Sequence, residues 1–186
     1  MKKLSILFFS IMLMGCSSML VNPNINYSEE TVNGITVRKV TDTLSLEESF
    51  QASVFVEGST LAATGVVMRT VYDINNKAIA MFFDNFGERS SSKMLYKTDD
   101  LYLRNVLFSN KELAVDMEII HPSRLDTSSE TIYELNRKEV KDLIKILESN
   151  KPVFIRITTN SRQFVLNFEN KQDTLNLLKV ADFLMN

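Results

Sequence analysis

Histidine and cysteine, the residue types of imidazole and thiol chemistry, are scarce in this sequence. The chain of 186 residues has one histidine and one cysteine, which leaves little material for imidazole catalysis, thiol catalysis or a transition-metal site. His121 lies near Ser123 and Asp126, which are residue types of a nucleophile, base and orienter. Members of such a triad must converge in space, and adjacent positions in a turn after Pro122 seldom allow that. We therefore expect His121 to be a surface residue that ends a strand.

Adjacent carboxylates are the other candidates for chemistry, because two carboxyl groups can divide acid and base work when their pKa values separate. The pairs are Glu29-Glu30, Glu47-Glu48 and Asp99-Asp100. Neighbouring carboxylates in loops are usually solvated, and none of these pairs matches the spaced oxygen ligands of a calcium loop. The sequence also has no phosphate-binding loop, dinucleotide fingerprint, nucleophile elbow or CxxC pair. We therefore predict a non-enzymatic protein with no cofactor and no metal.

The overall composition is that of an ordinary folded domain. Charged residues make up 24% and hydrophobic residues 45% of the chain, and the formal net charge is -2. Because there is no basic surplus to neutralise phosphates, nucleic acid is not expected as a partner. The length favours one domain with a tail.

The only cysteine, Cys16, follows an N-terminal segment with the pattern of an export signal. Lys2 and Lys3 come first, and residues 4–15 after them carry no charge. This apolar stretch is shorter than the ~20 residues that a membrane-spanning helix needs. A positive start followed by a short apolar core is typical of a secretory signal, so we predict that the chain is exported.

The end of this segment, Leu13-Met14-Gly15-Cys16, resembles the lipobox of bacterial lipoprotein precursors. The resemblance implies diacylglyceryl transfer to the thiol of Cys16, cleavage after Gly15, and membrane anchoring through acyl chains. The residue after the cysteine is Ser17. An Asp at this position would resemble a signal for retention in the inner membrane. Because Ser17 does not, the periplasmic side of the outer membrane is favoured if the host has two membranes. Two alternatives stay open. The host could have a single membrane, or the segment could be an ordinary secretory signal in which Cys16 is not acylated.

The sequence divides into three segments. Residues 1–15 are predicted as the signal peptide, residues 16–33 as the lipidated N-terminus and a flexible tether, and residues 34–186 as a single globular domain. The tether is rich in Ser and Asn and has no sustained apolar period. Its end is open by several residues, because Val32 and Ile35 could begin the first strand.

From residue 34 onward, apolar and polar residues alternate with period two, which predicts strands. The predicted strands lie near residues 35–40, 50–56, 61–72, 78–84, 94–97, 101–108 and 113–120. Asn75-Asn76 tolerates positive backbone angles and predicts a hairpin turn between two of them. His121-Pro122 ends the run, because proline cannot donate to a strand ladder.

Residues 136–186 predict the order helix, strand, strand, helix. Asn136 and Glu139 have capping-box spacing, and the apolar residues after them repeat with a helical period as far as Leu147. Two alternating stretches follow, and a second helix is predicted from Asp173 to about Leu184. The fold class is therefore predicted as α+β: a mostly antiparallel bent sheet or partial β-sandwich with two helices of the C-terminal region packed on one side.

Phe82 and Phe83 are the most suggestive candidates for binding. Neighbours on a strand point to opposite faces, so one of the two can leave the core. Together with Phe86 and the serine-rich loop that follows, it would form a binding edge, to which Arg156 and Arg162 could add a small basic patch. Helices or a second sheet layer could equally cover that face.

The export signal and the poor catalytic inventory together predict a lipid-anchored envelope protein that binds another envelope protein. Its role would be assembly, piloting or structural, and sheet edges would be natural docking sites. The alternative is a periplasmic-side carrier or sensor that holds a small apolar or lipid ligand between sheet and helices. A hydrolase with a carboxylate site is the least favoured class.

Overall fold

The computed structural model of the chain describes residues 24–57, 65–85, 103–118, 131–159 and 163–186. These residues form ten strands and two helices, and every strand pairing is antiparallel. The strands are β1 (Ile25–Val32), β2 (Ile35–Asp42), β3 (Glu48–Glu57), β4 (Gly65–Asp73), β5 (Ala78–Asn85), β6 (Leu103–Ser109), β7 (Ala114–Glu118), β8 (Thr131–Leu135), β9 (Phe154–Thr159) and β10 (Gln163–Asn167). The helices are α1 (Arg137–Glu148) and α2 (Gln172–Leu184). The predicted α+β class is confirmed.

The strands belong to two sheets. The first sheet has six strands in the order β1-β2-β3-β4-β5-β8, and the second has four in the order β10-β9-β6-β7. The first five strands are therefore a simple meander of hairpins. The chain then makes the β6–β7 hairpin in the second sheet, returns to the first sheet for β8, and completes the second sheet with β9 and β10.

Strand β1 lies within the segment that was predicted as a tether, so the structure corrects the domain start. Ile25–Val32 pairs along its whole length with Ile35–Asp42. The turn between them has φ of 49° at Asn33 and 76° at Gly34, the left-handed region that these two residue types tolerate. Four consecutive β1 side chains are exposed, so the strand carries no apolar alternation that a sequence pattern could reveal. Hydrogen bonding to β2, rather than burial of its own side chains, holds β1 in the sheet.

The start of α1 confirms the predicted capping box. The side-chain oxygen of Asn136 accepts from the backbone N–H of Glu139 at 3.0 Å, and Glu139 Oε2 accepts from the N–H of Asn136 at 2.8 Å. The other carboxylate oxygen, Oε1, accepts from the hydroxyl of Tyr133 at 2.7 Å. Burial and then this hydrogen bond raise the pKa of Tyr133 to about 12. The last strand of the first sheet is thus tied directly to the first turn of α1.

Each sheet packs on one helix, and the helices pack on each other. Helix α2 lies against β2, β3 and β4, whereas α1 lies against β6 and β7. The buried apolar side chains of both sheets and both helices form one cluster. Helix α2 is buried around much of its circumference because it contacts the first sheet and α1 at once; its buried residues are Thr174, Leu175, Leu177, Leu178, Val180 and Ala181.

Candidate functional site

Phe82 and Phe83, the predicted pair on β5, point to opposite faces of the sheet, as strand geometry requires. Phe83 is 2% exposed and lies in the core, which corrects its assignment to a binding edge, since a buried ring offers no surface to a partner. Phe82 lies on the outer face and is half-buried. The guanidinium carbon of Arg69 on β4 is 4.9 Å from its ring centroid, so a cation–π contact already covers part of the ring.

The other predicted site residues do not join Phe82. Arg156 lies on β9 of the second sheet, whereas Phe82 lies on β5 of the first sheet, so they belong to different surfaces. The side chain of Arg156 is half-buried, and its Nε has no hydrogen-bond partner among the described residues. Phe86 and Arg162 lie outside the described residues. Residues 1–23, with Gly15, Cys16 and the segment that resembles a lipobox, also lie outside the described residues, as do residues 119–130, with His121.

One member of each carboxylate pair that the structure describes, Glu30 and Glu48, has a structural partner. Lys39 Nζ lies 2.9 Å from a carboxylate oxygen of Glu48 and 3.4 Å from one of Glu30, on the inner face of the β1–β3 region. The hydrogen bond to Glu48, and then that to Glu30, raises the pKa of Lys39. Within the described ranges, no three His, Cys, Asp or Glu side chains group as metal ligands, and neither helix is long and apolar enough to cross a bilayer.

A concave feature of the described residues is a cleft where β2 and β3 separate. These strands pair only between residues 38–41 of β2 and residues 48–51 of β3. Beyond that point, Ile35–Val37 is paired with β1 alone and Ala52–Glu57 with β4 alone. A cleft of about 690 Å³ lies between them, which we call the β2–β3 cleft. Its volume is in the range of ligand-binding clefts in proteins.

Helix α2 and three strands supply the lining of the β2–β3 cleft. The lining residues are Tyr27, Ser28, Glu29, Thr36, Val37, Arg38, Gln51, Ala52, Ser53, Asp173 and Leu177. The apolar members Val37, Ala52 and Leu177 are buried, so they lie at its base. Charged and hydroxyl-bearing side chains make up most of the rest, and the cleft is therefore of mixed polarity.

Arg38 is the cation of this cleft and is held by an aromatic ring. Its guanidinium carbon lies 4.2 Å from the centroid of Tyr27, which is 55% exposed. Tyr27 and Arg38 are diagonal neighbours on β1 and β2, on the outer face of the first sheet. No carboxylate among the described residues is within ion-pairing distance of Arg38. Its donors are therefore free of any charged partner in the part of the chain that the structure describes.

Two facing strand edges supply backbone hydrogen-bonding groups to this cleft. Strands β2 and β3 each continue past their last mutual pair, so each carries backbone N–H and C=O groups with no strand opposite among the described residues. Such edges accept an extended polypeptide by adding main-chain hydrogen bonds, while side-chain pockets set specificity. The described geometry therefore suits an extended peptide segment.

Sequence reasoning missed this cleft because it depends on where two strands stop pairing. The apolar alternation of β2 and β3 continues across the separation point, so it carries no signal there. Only the predicted docking at sheet edges pointed in this direction. Comparison of the chain with protein-family models, with curated proteins and with solved structures found no match.

Proposed function

We propose that this chain is a lipid-anchored, non-enzymatic envelope protein whose domain binds an extended segment of another envelope protein in the β2–β3 cleft. The observation that carries the proposal is the pair of facing strand edges on β2 and β3, in a cleft whose lining includes Arg38. The lipobox resemblance at Cys16 supplies the compartment, and the periplasmic side of an outer membrane is the favoured location.

The character of the cleft supports a polypeptide over the alternative of a small apolar or lipid ligand. Carriers of apolar ligands enclose them in predominantly hydrophobic pockets with few polar groups. Here Glu29, Arg38 and Asp173 line one cleft with exposed serine and threonine side chains. These groups match the amides, carbonyls and charged side chains of a peptide, whereas an acyl chain would leave them without partners.

Site-specific photocrosslinking in intact cells tests this proposal. A photoreactive side chain is introduced into the full chain at Ser53 or Thr36, both exposed in the cleft, and at Lys141 on α1 as the matched control. We expect protein adducts from the two cleft positions and none from Lys141. Arg38→Glu should reduce the adducts at Ser53, whereas Lys141→Glu should leave them unchanged.

Two results would decide against the proposed partner. Phospholipid as the only adduct at Ser53 and Thr36 would support the ligand carrier instead. Equal protein adducts from Lys141 would show that the cleft has no special role.

Anchoring is tested separately with Cys16→Ser. Since the substitution removes the thiol that the acyl chains require, we expect the protein to leave the membrane fraction. Unchanged sedimentation of this variant with membranes would refute acylation at Cys16.

A further inference from the structure

The turn between β2 and β3 exposes two leucines in a strained loop. Leu44 and Leu46 are each 74% exposed, the largest exposed fractions among the large apolar side chains of the described residues. Leu46 has φ of 60°, the left-handed region in which Gly and Asn are usual and a bulky side chain is uncommon. We call the segment Thr43–Glu47 the leucine loop. A strained backbone that presents an apolar side chain to solvent calls for a reason other than folding stability.

Hydrogen bonds hold the leucine loop in one shape. The side chain of Asp42 accepts from the N–H of Leu44 at 2.8 Å and of Ser45 at 3.3 Å, and its carbonyl accepts from the N–H of Leu46 at 2.9 Å. The N–H of Asp42 in turn donates to the carbonyl of Glu47 at 2.9 Å. These hydrogen bonds to Asp42 fix the backbone of the loop, so the side chains of Leu44 and Leu46 point to solvent rather than onto the sheet.

The loop is also hydrogen-bonded to Asn24, the first described residue, which directly precedes β1. The backbone N–H of Thr43 donates to the carbonyl of Asn24 at 2.7 Å, and its hydroxyl donates to the same oxygen at 2.9 Å. Cys16 precedes Asn24 by eight residues, and eight residues span at most about 29 Å even when fully extended. An acylated Cys16 would therefore keep Asn24 within that distance of the bilayer surface, and Thr43 of the leucine loop is hydrogen-bonded to Asn24.

We infer that the leucine loop is a second membrane contact, which inserts Leu44 and Leu46 into the bilayer interface beside the acyl anchor. This inference rests on the anchoring at Cys16 that we propose above. The contact is apolar rather than electrostatic, because residues 43–47 contain no Lys or Arg that would bind anionic headgroups. The one charged side chain of the loop, Glu47, is exposed and would stay in the aqueous layer. Phosphatidylcholine, which is zwitterionic and has no net charge, is therefore a sufficient surface. With two attachment points, the domain has a fixed tilt on the membrane.

Tryptophan fluorescence tests the inference, since the chain contains no tryptophan. The acylated full chain carrying Leu44→Trp is reconstituted into phosphatidylcholine vesicles, with brominated phosphatidylcholine as the quencher. The matched control is Leu113→Trp, an exposed leucine (46%) in the β6–β7 hairpin. That hairpin contacts the C-terminal end of α1, where Asn110 Nδ2 donates to Ser149 Oγ, whereas α1 begins beside β8. The β2–β3 turn lies at the same end of the first sheet as the end of β8, because Ser49 pairs with Asp73, Asp73 with Ala78 and Ile79 with Leu135. The control therefore lies at the opposite end of α1, and the 12 residues of this helix are about 18 Å long.

We expect a blue-shifted and quenched emission for Leu44→Trp, and a solvent-like emission for Leu113→Trp. Solvent-like emission from Leu44→Trp on vesicles that retain the protein would overturn the inference while leaving the anchor intact. Equal quenching of both variants would also overturn it, because it would show non-specific adhesion. Failure of the acylated protein to float with vesicles would refute both the anchor and the second contact.

A measurement without a tryptophan guards against a local effect of the substitution. Hydrogen exchange in residues 43–47 of the acylated protein on vesicles should slow relative to the Cys16→Ser protein in solution, while residues 109–114 should not change. If exchange in residues 43–47 were the same in the acylated protein on vesicles and in the Cys16→Ser protein, the membrane contact would be contradicted.

Discussion

The hydrogen-bonded junction between β8 and α1 allows a quantitative test of the fold. Glu139 uses its two carboxylate oxygens separately, one for the N–H of Asn136 and one for the hydroxyl of Tyr133. Asn136→Ala removes only the hydrogen bond from the backbone N–H of Glu139 to Asn136 Oδ1, and it should cost about 1 kcal/mol of unfolding free energy. Glu139→Ala removes both carboxylate contacts and leaves a half-buried hydroxyl without its acceptor, so we expect about 2–3 kcal/mol.

Two further variants separate the contributions. Glu139→Gln keeps a single side-chain oxygen for two donors, so it should lose one contact, about 1 kcal/mol. Asn136→Gly should cost only a few tenths of a kcal/mol, because Gly is itself acceptable at an N-cap. Tyr133→Phe and Glu139→Ala remove the same hydrogen bond, so their combined cost should be smaller than the sum of their separate costs.

Thermal and urea unfolding in the Cys16→Ser background, which carries no acyl chains, measures these differences. For a chain of this size each kcal/mol corresponds to about 2–4 °C in the unfolding midpoint. Our reading of the junction would be refuted if Glu139→Ala cost no more than Asn136→Ala, or if the costs of Tyr133→Phe and Glu139→Ala were fully additive.

Two other predictions concern β5 and alkaline pH. Phe83→Ala should cost about 3–5 kcal/mol in urea unfolding because its ring is buried, whereas Phe82→Ala should cost about 1 kcal/mol; equal costs would contradict their opposite orientation. The raised pKa of Tyr133, about 12 against 10.0, means that the unfolded chain deprotonates first, so stability should be full below pH 10 and fall toward pH 12. Tyr133→Phe should reduce that fall, and an unchanged pH dependence would contradict the assigned environment.

The leucine loop would connect the proposed binding site to the proposed acyl anchor. The loop joins the same two strands, β2 and β3, whose separation forms the β2–β3 cleft. If the loop rests on the bilayer, the cleft has a fixed height and direction relative to the membrane. A partner segment would then be presented in one orientation, which reduces the entropy lost on binding.

The sequence by itself determined the local features. The alternation of apolar residues predicted most strands, and the spacing of Asn136 and Glu139 predicted the start of α1. The location in the cell envelope, which the resemblance of residues 13–16 to a lipobox implies, stays a prediction. These features depend on neighbours along the chain, so a linear pattern carries them. Strand β1 escaped prediction because its exposed side chains repeat with no apolar period.

Only the tertiary structure decided how these elements meet. The burial of Phe83 together with the outward position of Phe82, the assignment of Arg156 to a separate sheet, and the β2–β3 cleft all follow from strand order and register. So does the contact of the leucine loop with Asn24. Contacts of this kind join residues far apart in the chain, and their free energy depends on packing against α2 and the neighbouring strands rather than on any single segment.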